Sequence, residues 1–302
     1  MALTRRLKWL ALGITLLWGL LLAGCGVQPP PVETAPPLMI NDTVNNAVLT
    51  LPIVVADRLG LFAHQHLRVI LRPDPAAPLS LSWAGSRWPI EGVLAVRPDL
   101  VLVSPIPDPH FRLRALRHLP LFLTPAATPE EAWARQVLAL HQVVGNDWKV
   151  IPKAEVLSLW AQRRLPWVMV PLSEWPALKN RAPDSRILAW IGASTGPLPT
   201  VVITGHPARP GQLTTFLAAV NLALWYIHTT PAAQVAQLIG RPTAEEIATI
   251  RQADHYGIWP AVTRLDPATY QRGRQFWATG WPDYETGVRN QSADAALTFH
   301  GW

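Results

Sequence analysis

The sequence predicts an α/β fold built on a mixed sheet with flanking helices, and three observations carry that prediction. Apolar runs of strand length at 100–103, 168–170, 187–191 and 201–204 alternate with stretches of helical period. Helix-start signals, Thr128-Pro129-Glu130-Glu131 and Thr243 to Glu246, fall between or after those runs. Residues 51–69 read as a short amphipathic helix, a glycine stop and the beginning of a strand, with one side buried.

In that unit Val55, Leu59 and Phe62 recur at i, i+4 and i+7, which gathers three apolar side chains on one helix face. Pro52 suits a first turn, where the donor it lacks would be unpaired anyway. Gly60 can adopt the left-handed conformation that ends a helix, and Leu67, Val69 and Leu71 then alternate as in a strand. Further on, 90–95 reads as a short helix, Arg97-Pro98-Asp99 as a turn and 100–103 as a strand. Helices follow at 133–143 and 153–163, with a strand at 148–151 between them. After the 201–204 strand come carboxy-terminal helices: an apolar one at 213–227, one capped by Thr230-Pro231, one opened by Thr243 and a last one opened by Asp266-Pro267.

The amino terminus carries a targeting signal. Arg5, Arg6 and Lys8 precede an apolar run at 9–22, and Leu22-Ala23-Gly24-Cys25 resembles the bacterial lipobox; an ordinary transmembrane anchor is the alternative, for which the run is rather short. Cys25 is the only cysteine of 302 residues, so the chain can build neither a disulfide nor a cysteine-rich metal site. Its thiol is the expected point of lipidation, tethering the chain to the membrane through a lipid anchor. Residues 26–37, GVQPPPVETAPP, are expected to form an extended polyproline-like tether. About 265 residues remain, enough for two compact lobes. The net charge of +6 falls to +3 without Arg5, Arg6 and Lys8, and the arginines are scattered without aromatic interleaving, which argues against a nucleic-acid partner.

Pro52, Ala56, Gly60-Leu61-Phe62, Leu67 and Val69 resemble the segment after the first strand in solute-binding proteins of ABC importers, in the branch handling sulfonates, nitrate, taurine and thiamine-type pyrimidine precursors. His66 replaces the family's second glycine, a position histidine tolerates because it enters the left-handed region more readily than most residues. The resemblance implies a two-lobed, type II periplasmic binding protein-like fold: lobe 1 at 38–118, lobe 2 at 119–199, and a return to lobe 1 with the carboxy-terminal helices at 200–302. It implies a small-molecule solute, an ABC permease and its ATPase as partners, location on the extracytoplasmic face, no cofactor and no catalysis. The crossing between lobes looks shortened after His118, where relatives carry about thirty more residues. Two alternatives stay open: an interaction module of this fold without ligand, and a biosynthetic enzyme sharing the fold.

Candidate ligand-binding residues follow from the loops the resemblance aims at the cleft. Ser82, Trp83 and Ser86 lie in one small-residue loop, where hydroxyls can donate and tryptophan can cover an apolar solute; a solvated turn is the alternative. Ser104, just after the 100–103 strand, is a second candidate, since ligands of open α/β sheets sit beyond strand carboxyl ends. Glu174 and Trp175 follow the 168–170 strand and suit an amine or cationic ring, or else are a solvated carboxylate and a packed ring. The Thr128 helix start suits no anion, because Pro129 lacks a donor and Glu130 and Glu131 repel negative charge. His64 and His66 lack a third metal ligand at a usable spacing, and no nucleophile elbow, metalloprotease, phosphate-loop or dinucleotide motif is present.

Overall fold

Between residues 36 and 299 the computed structural model describes all but 86–88, 125–127, 206, 208, 210 and 278–279. The expected signal segment with Cys25, most of the expected tether, Ser86 and the terminal His300-Gly301-Trp302 therefore lie outside the described residues.

The helix, glycine and strand pattern produces β1 (Leu38–Asp42), α1 (Leu51–Arg58), α2 (Leu61–His64) and β2 (Val69–Arg72). Gly60 at φ +71° divides the predicted single helix in two, placing Phe62 in α2. His66 takes φ +53°, so the turn survives without the second glycine. Phe62 and Val55 are buried, and Phe62 stacks on Phe216 of α6 (Gln212–Thr229) at 5.6 Å. Helix α6 is apolar around most of its circumference and serves as the central buried helix of this lobe.

Two five-stranded sheets organise the rest. The first has the order β2-β1-β3-β10-β4, with β3 (Leu79–Trp83), β4 (Ile90–Ala95) and β10 (Val201–Gly205). Strands β1, β2 and β3 are parallel, whereas β10 runs antiparallel to both β3 and β4. The second has β5 (Leu100–Ser104), β6 (Leu121–Leu123), β7 (Trp148–Val150), β8 (Val168–Pro171) and β9 (Arg186–Trp190) in the order β7-β6-β8-β5-β9. Here β6 parallels β7 and β8, while β5 is antiparallel to β8 and β9. Helices α3 (Thr128–Leu140), α4 (Lys153–Ala161) and α5 (Trp175–Arg181) flank it. The carboxy-terminal set is α7 (Ala232–Leu238), α8 (Ala244–His255), α9 (Pro267–Trp277), α10 (Tyr284–Gly287) and α11 (Gln291–Leu297). Thr243 caps α8, its Oγ1 accepting from the Glu246 amide at 3.1 Å, and the Asp266 carboxylate accepts from the Thr269 amide at 2.9 Å. The Thr128 cap lies outside the described side chains.

Two expectations are corrected. Residues 90–95 are the strand β4, not a helix: all six are buried, and Gly92 lets Leu217 approach so closely that a Cβ there would meet its Cδ2 at 3.0 Å. Strand β5 belongs to the second sheet, so the chain crosses between lobes at 96–99 and not after His118. The second connection, 191–200, runs beside the first: the Leu198 amide donates to Val96 O at 2.8 Å and the Thr200 amide to Ala95 O at 2.9 Å. Gly192 lies against Pro98, where a Cβ would stand 2.7 Å from Pro98 Cδ.

Candidate functional site

Strand ends from both sheets converge at this double connection. After β1, the Asp42 carboxylate accepts from the amides of Val44 and Asn45 at 3.0 and 2.9 Å, turning the chain at the sheet edge. Asn46 Oδ1 then accepts from the amides of Val48 and Leu49 at 3.0 and 3.2 Å, fixing the turn that leads into α1. That leaves the Asn46 amide to donate across to Asp99 Oδ1 at 3.0 Å. Asp99 stands at the foot of β5, and its carbonyl accepts from the Leu172 amide, just beyond β8, at 2.7 Å. The residue after β3, Ala84, donates to Thr200 O in the second connection. One aspartate thus ties the exit of β1 in the first lobe to the exit of β8 in the second.

The electrostatics there are acidic. Asp99 has no exposed surface, and burial pushes its carboxyl up to about 6; the Asn46 bond and backbone amides oppose that rise, while the nearby Glu174 charge adds to it. Its Oδ2 has no hydrogen-bond partner among the described residues. Glu174 follows β8 in a 3-10 turn and pairs with Lys153 at 3.3 Å. At the exit of β9, Trp190 stacks on Tyr256, just past α8, at 3.8 Å and 19°. Arg97, in the first connection, donates to the Tyr256 carbonyl. Thr124, after β6 on the same rim as the β8 exit, is buried with its hydroxyl unpartnered among the described residues.

Of the residues singled out in the sequence, Glu174 lies at this junction. Ser82 is buried in β3 opposite Val202, with its hydroxyl unpartnered among the described residues. Trp83 is buried in the main core opposite Val201, one residue before the loop that meets the connection. Ser86 lies outside the described residues. Trp175 is buried in the core, with the Lys179 ammonium 5.8 Å from its ring centre. Ser104 is placed elsewhere: because β5 is antiparallel to β8, its carboxyl end points away from the junction, and Ser104 Oγ donates to Pro166 O at 2.8 Å before β8 begins. Asp99, Asn46, Trp190 and Tyr256 were not among the candidates. The acidic residue before an apolar strand was visible, but its role depends on which sheet that strand joins. Among the described residues no cluster of three or more His, Cys, Asp or Glu could hold a metal, and no helix is long and apolar enough to cross a membrane.

No protein-family model and no curated protein sequence matches this chain. Solved structures do. The ligand-binding component of an ABC-type import system from Staphylococcus aureus is 10% identical, covering 85% of this chain and 97% of its own, with a TM-score of 0.61. The alkanesulfonate-binding protein SsuA from Xanthomonas axonopodis pv. citri is 14% identical, covering 84% and 98%, with a TM-score of 0.58. The desulfurization enzyme DSZB is 14% identical, covering 86% and 98%, with a TM-score of 0.53. Two mixed sheets, two adjacent connections and strand exits facing one junction, together with these likenesses, show that the chain has the two-lobed periplasmic binding protein fold.

Proposed function

We propose that the protein is the membrane-tethered solute receptor of an ABC importer, capturing a small molecule between its lobes on the extracytoplasmic face and delivering it to a permease and its ATPase. The observation that carries this reading is the convergence of strand exits from both sheets on Asp99 beside the paired connections. A solute bridging the exits would hold the lobes together, shifting the open and closed populations by its differential affinity for them. Binding through Glu174, whose carboxylate accepts from a donor on the solute, with the Trp190 and Tyr256 pair as aromatic neighbours, fits that geometry.

Among sulfonates, nitrate, taurine and pyrimidine precursors, the junction favours a solute with an amine or cationic ring. The Asp99 carboxylate disfavours a sulfonate or nitrate beside it, and Glu174 can exchange its half-exposed partner Lys153 for the amine of a solute next to the Trp190 and Tyr256 rings. Because Asp99 ionises near pH 6, affinity for a cationic solute rises as pH increases from 5 to 7.5. Equilibrium titration with an N-methylated aminopyrimidinium, whose charge is fixed over that interval, at both pH values checks this, and an affinity that falls opposes it. The tether is tested separately: Cys25→Ser should move the protein from the membrane to the soluble fraction and abolish labelling by a fatty-acid analogue. DSZB has the same fold, so the measured solute must also be recovered chemically unchanged.

A further inference from the structure

We propose that a groove on the outer edge of the second lobe binds the headgroup of an anionic glycerophospholipid. The groove lies between residues 111–114, which lead into the 3-10 turn Leu113–Leu116, and the edge strand β9, and its volume is about 490 Å³. That volume is within the range of small-molecule sites, roughly 300–1,000 Å³. Phe111, Leu113 and Leu188 supply apolar walls, and Arg112, Arg114 and His141 supply donors.

Arg112 and Arg114 are exposed and take part in no ion pair among the described residues, whereas Arg135, Arg163, Arg264 and Arg274 each have a carboxylate. Neighbouring Arg117 also keeps its charge uncompensated, since it donates only to the carbonyl and side-chain oxygen of Gln142. Asp108 is exposed near the start of this stretch and accepts from the His110 amide, so Arg112, Arg114 and Arg117 outnumber it, and Asp147 pairs with Lys149. Two free guanidiniums can grip a phosphodiester bidentately.

The apolar surroundings distinguish a lipid from a free anion. Leu140 and Val144, on either side of His141, are 62% and 55% exposed. Leu119, in the turn after residues 113–116, is also exposed, and Asn146 donates to its carbonyl at 2.7 Å. Cations backed by exposed aliphatic side chains match a membrane interface, where the headgroup meets the charge and the first acyl carbons meet the apolar rim. Inorganic phosphate would need no such rim.

The test uses the full chain in neutral-detergent micelles, titrated with dihexanoyl-phosphatidylglycerol, dihexanoyl-phosphatidylcholine or inorganic phosphate, and read by native mass spectrometry. Saturable binding of the phosphatidylglycerol, about tenfold tighter than the phosphatidylcholine, is expected, and Arg112→Ala with Arg114→Ala should weaken it about tenfold or more. The double Lys variant should retain part of the affinity, because it keeps charge while losing the bidentate fork. Equal binding of the two lipids, an unaffected Ala variant with a native melting midpoint, or inorganic phosphate competing as well as the lipid would overturn the assignment. Solute titration at the junction should be unchanged in the Ala variant, so failure here leaves the receptor reading intact.

Discussion

Asp99 is a carboxyl with no exposed surface, and that determines how its ionisation couples to folding. In the unfolded chain an aspartate titrates near pH 4, whereas here burial moves it up to about 6. Between those values the folded state keeps a proton that the unfolded state has lost. Stability from this group therefore declines as pH rises from about 4 to about 6 and stays lower above. Glu91, which burial raises to about 7 against the opposing charge of Arg289, acts in the same direction and extends the window. We predict that Asp99→Asn, which keeps the acceptor for Asn46 but cannot ionise, shows a smaller fall in melting midpoint from pH 4.5 to 7.5 than the wild type. Parallel pH series on the two proteins check this; superimposable curves would contradict it. The place of Glu174 at the junction was legible because it lies just beyond a strand. Asp99 was not, since its importance comes from Asn46 and Leu172, fifty-three residues before it and seventy-three after it in the chain.

At the scale of elements, strand or helix identity was mostly readable, while sheet membership was not. Val201 to Gly205 and Val168 to Pro171 are apolar and rich in β-branched side chains, and both form strands. Ile90 to Ala95 contains a glycine and an alanine among apolar residues, a pattern that period alone cannot divide between a buried strand and a short helix. Nothing local in Leu100 to Ser104 says which sheet it joins, and the antiparallel pairing with β8 moves both the crossing and Ser104. The crossing itself depends on close packing between its two connections. Gly192→Ala would force a methyl to within 2.7 Å of Pro98 Cδ and 3.1 Å of Pro98 O, and should cost on the order of 1–3 kcal/mol. Denaturant unfolding measures that loss; an unchanged midpoint would mean the connections separate without penalty.

Over the whole molecule, the main core includes residues of both sheets together with α6, so the lobes share buried contacts beyond the paired connections. Helix α8 also reaches the second lobe, where Glu245 accepts from the Asn180 side chain. On the receptor reading proposed above, opening would disturb contacts such as the Asn46 to Asp99 bond and the Trp190 to Tyr256 stack. This architecture was legible through a short pattern around Gly60-Leu61-Phe62, although the solved structures of the same fold are only 10–14% identical. At that identity what is shared is the fold, and a fold alone does not name a solute. The most direct test of the receptor account is thermal unfolding of the full chain with hydroxymethylpyrimidine, related amines, taurine, alkanesulfonates and nitrate. A ligand at a hundredfold excess over its Kd adds about 2.7 kcal/mol to native stability, enough to raise the midpoint by several degrees. The account predicts a saturable rise with an amine or cationic ring that Glu174→Gln diminishes. A midpoint unmoved by every solute, or moved only by the anions and equally in Glu174→Gln, would contradict it.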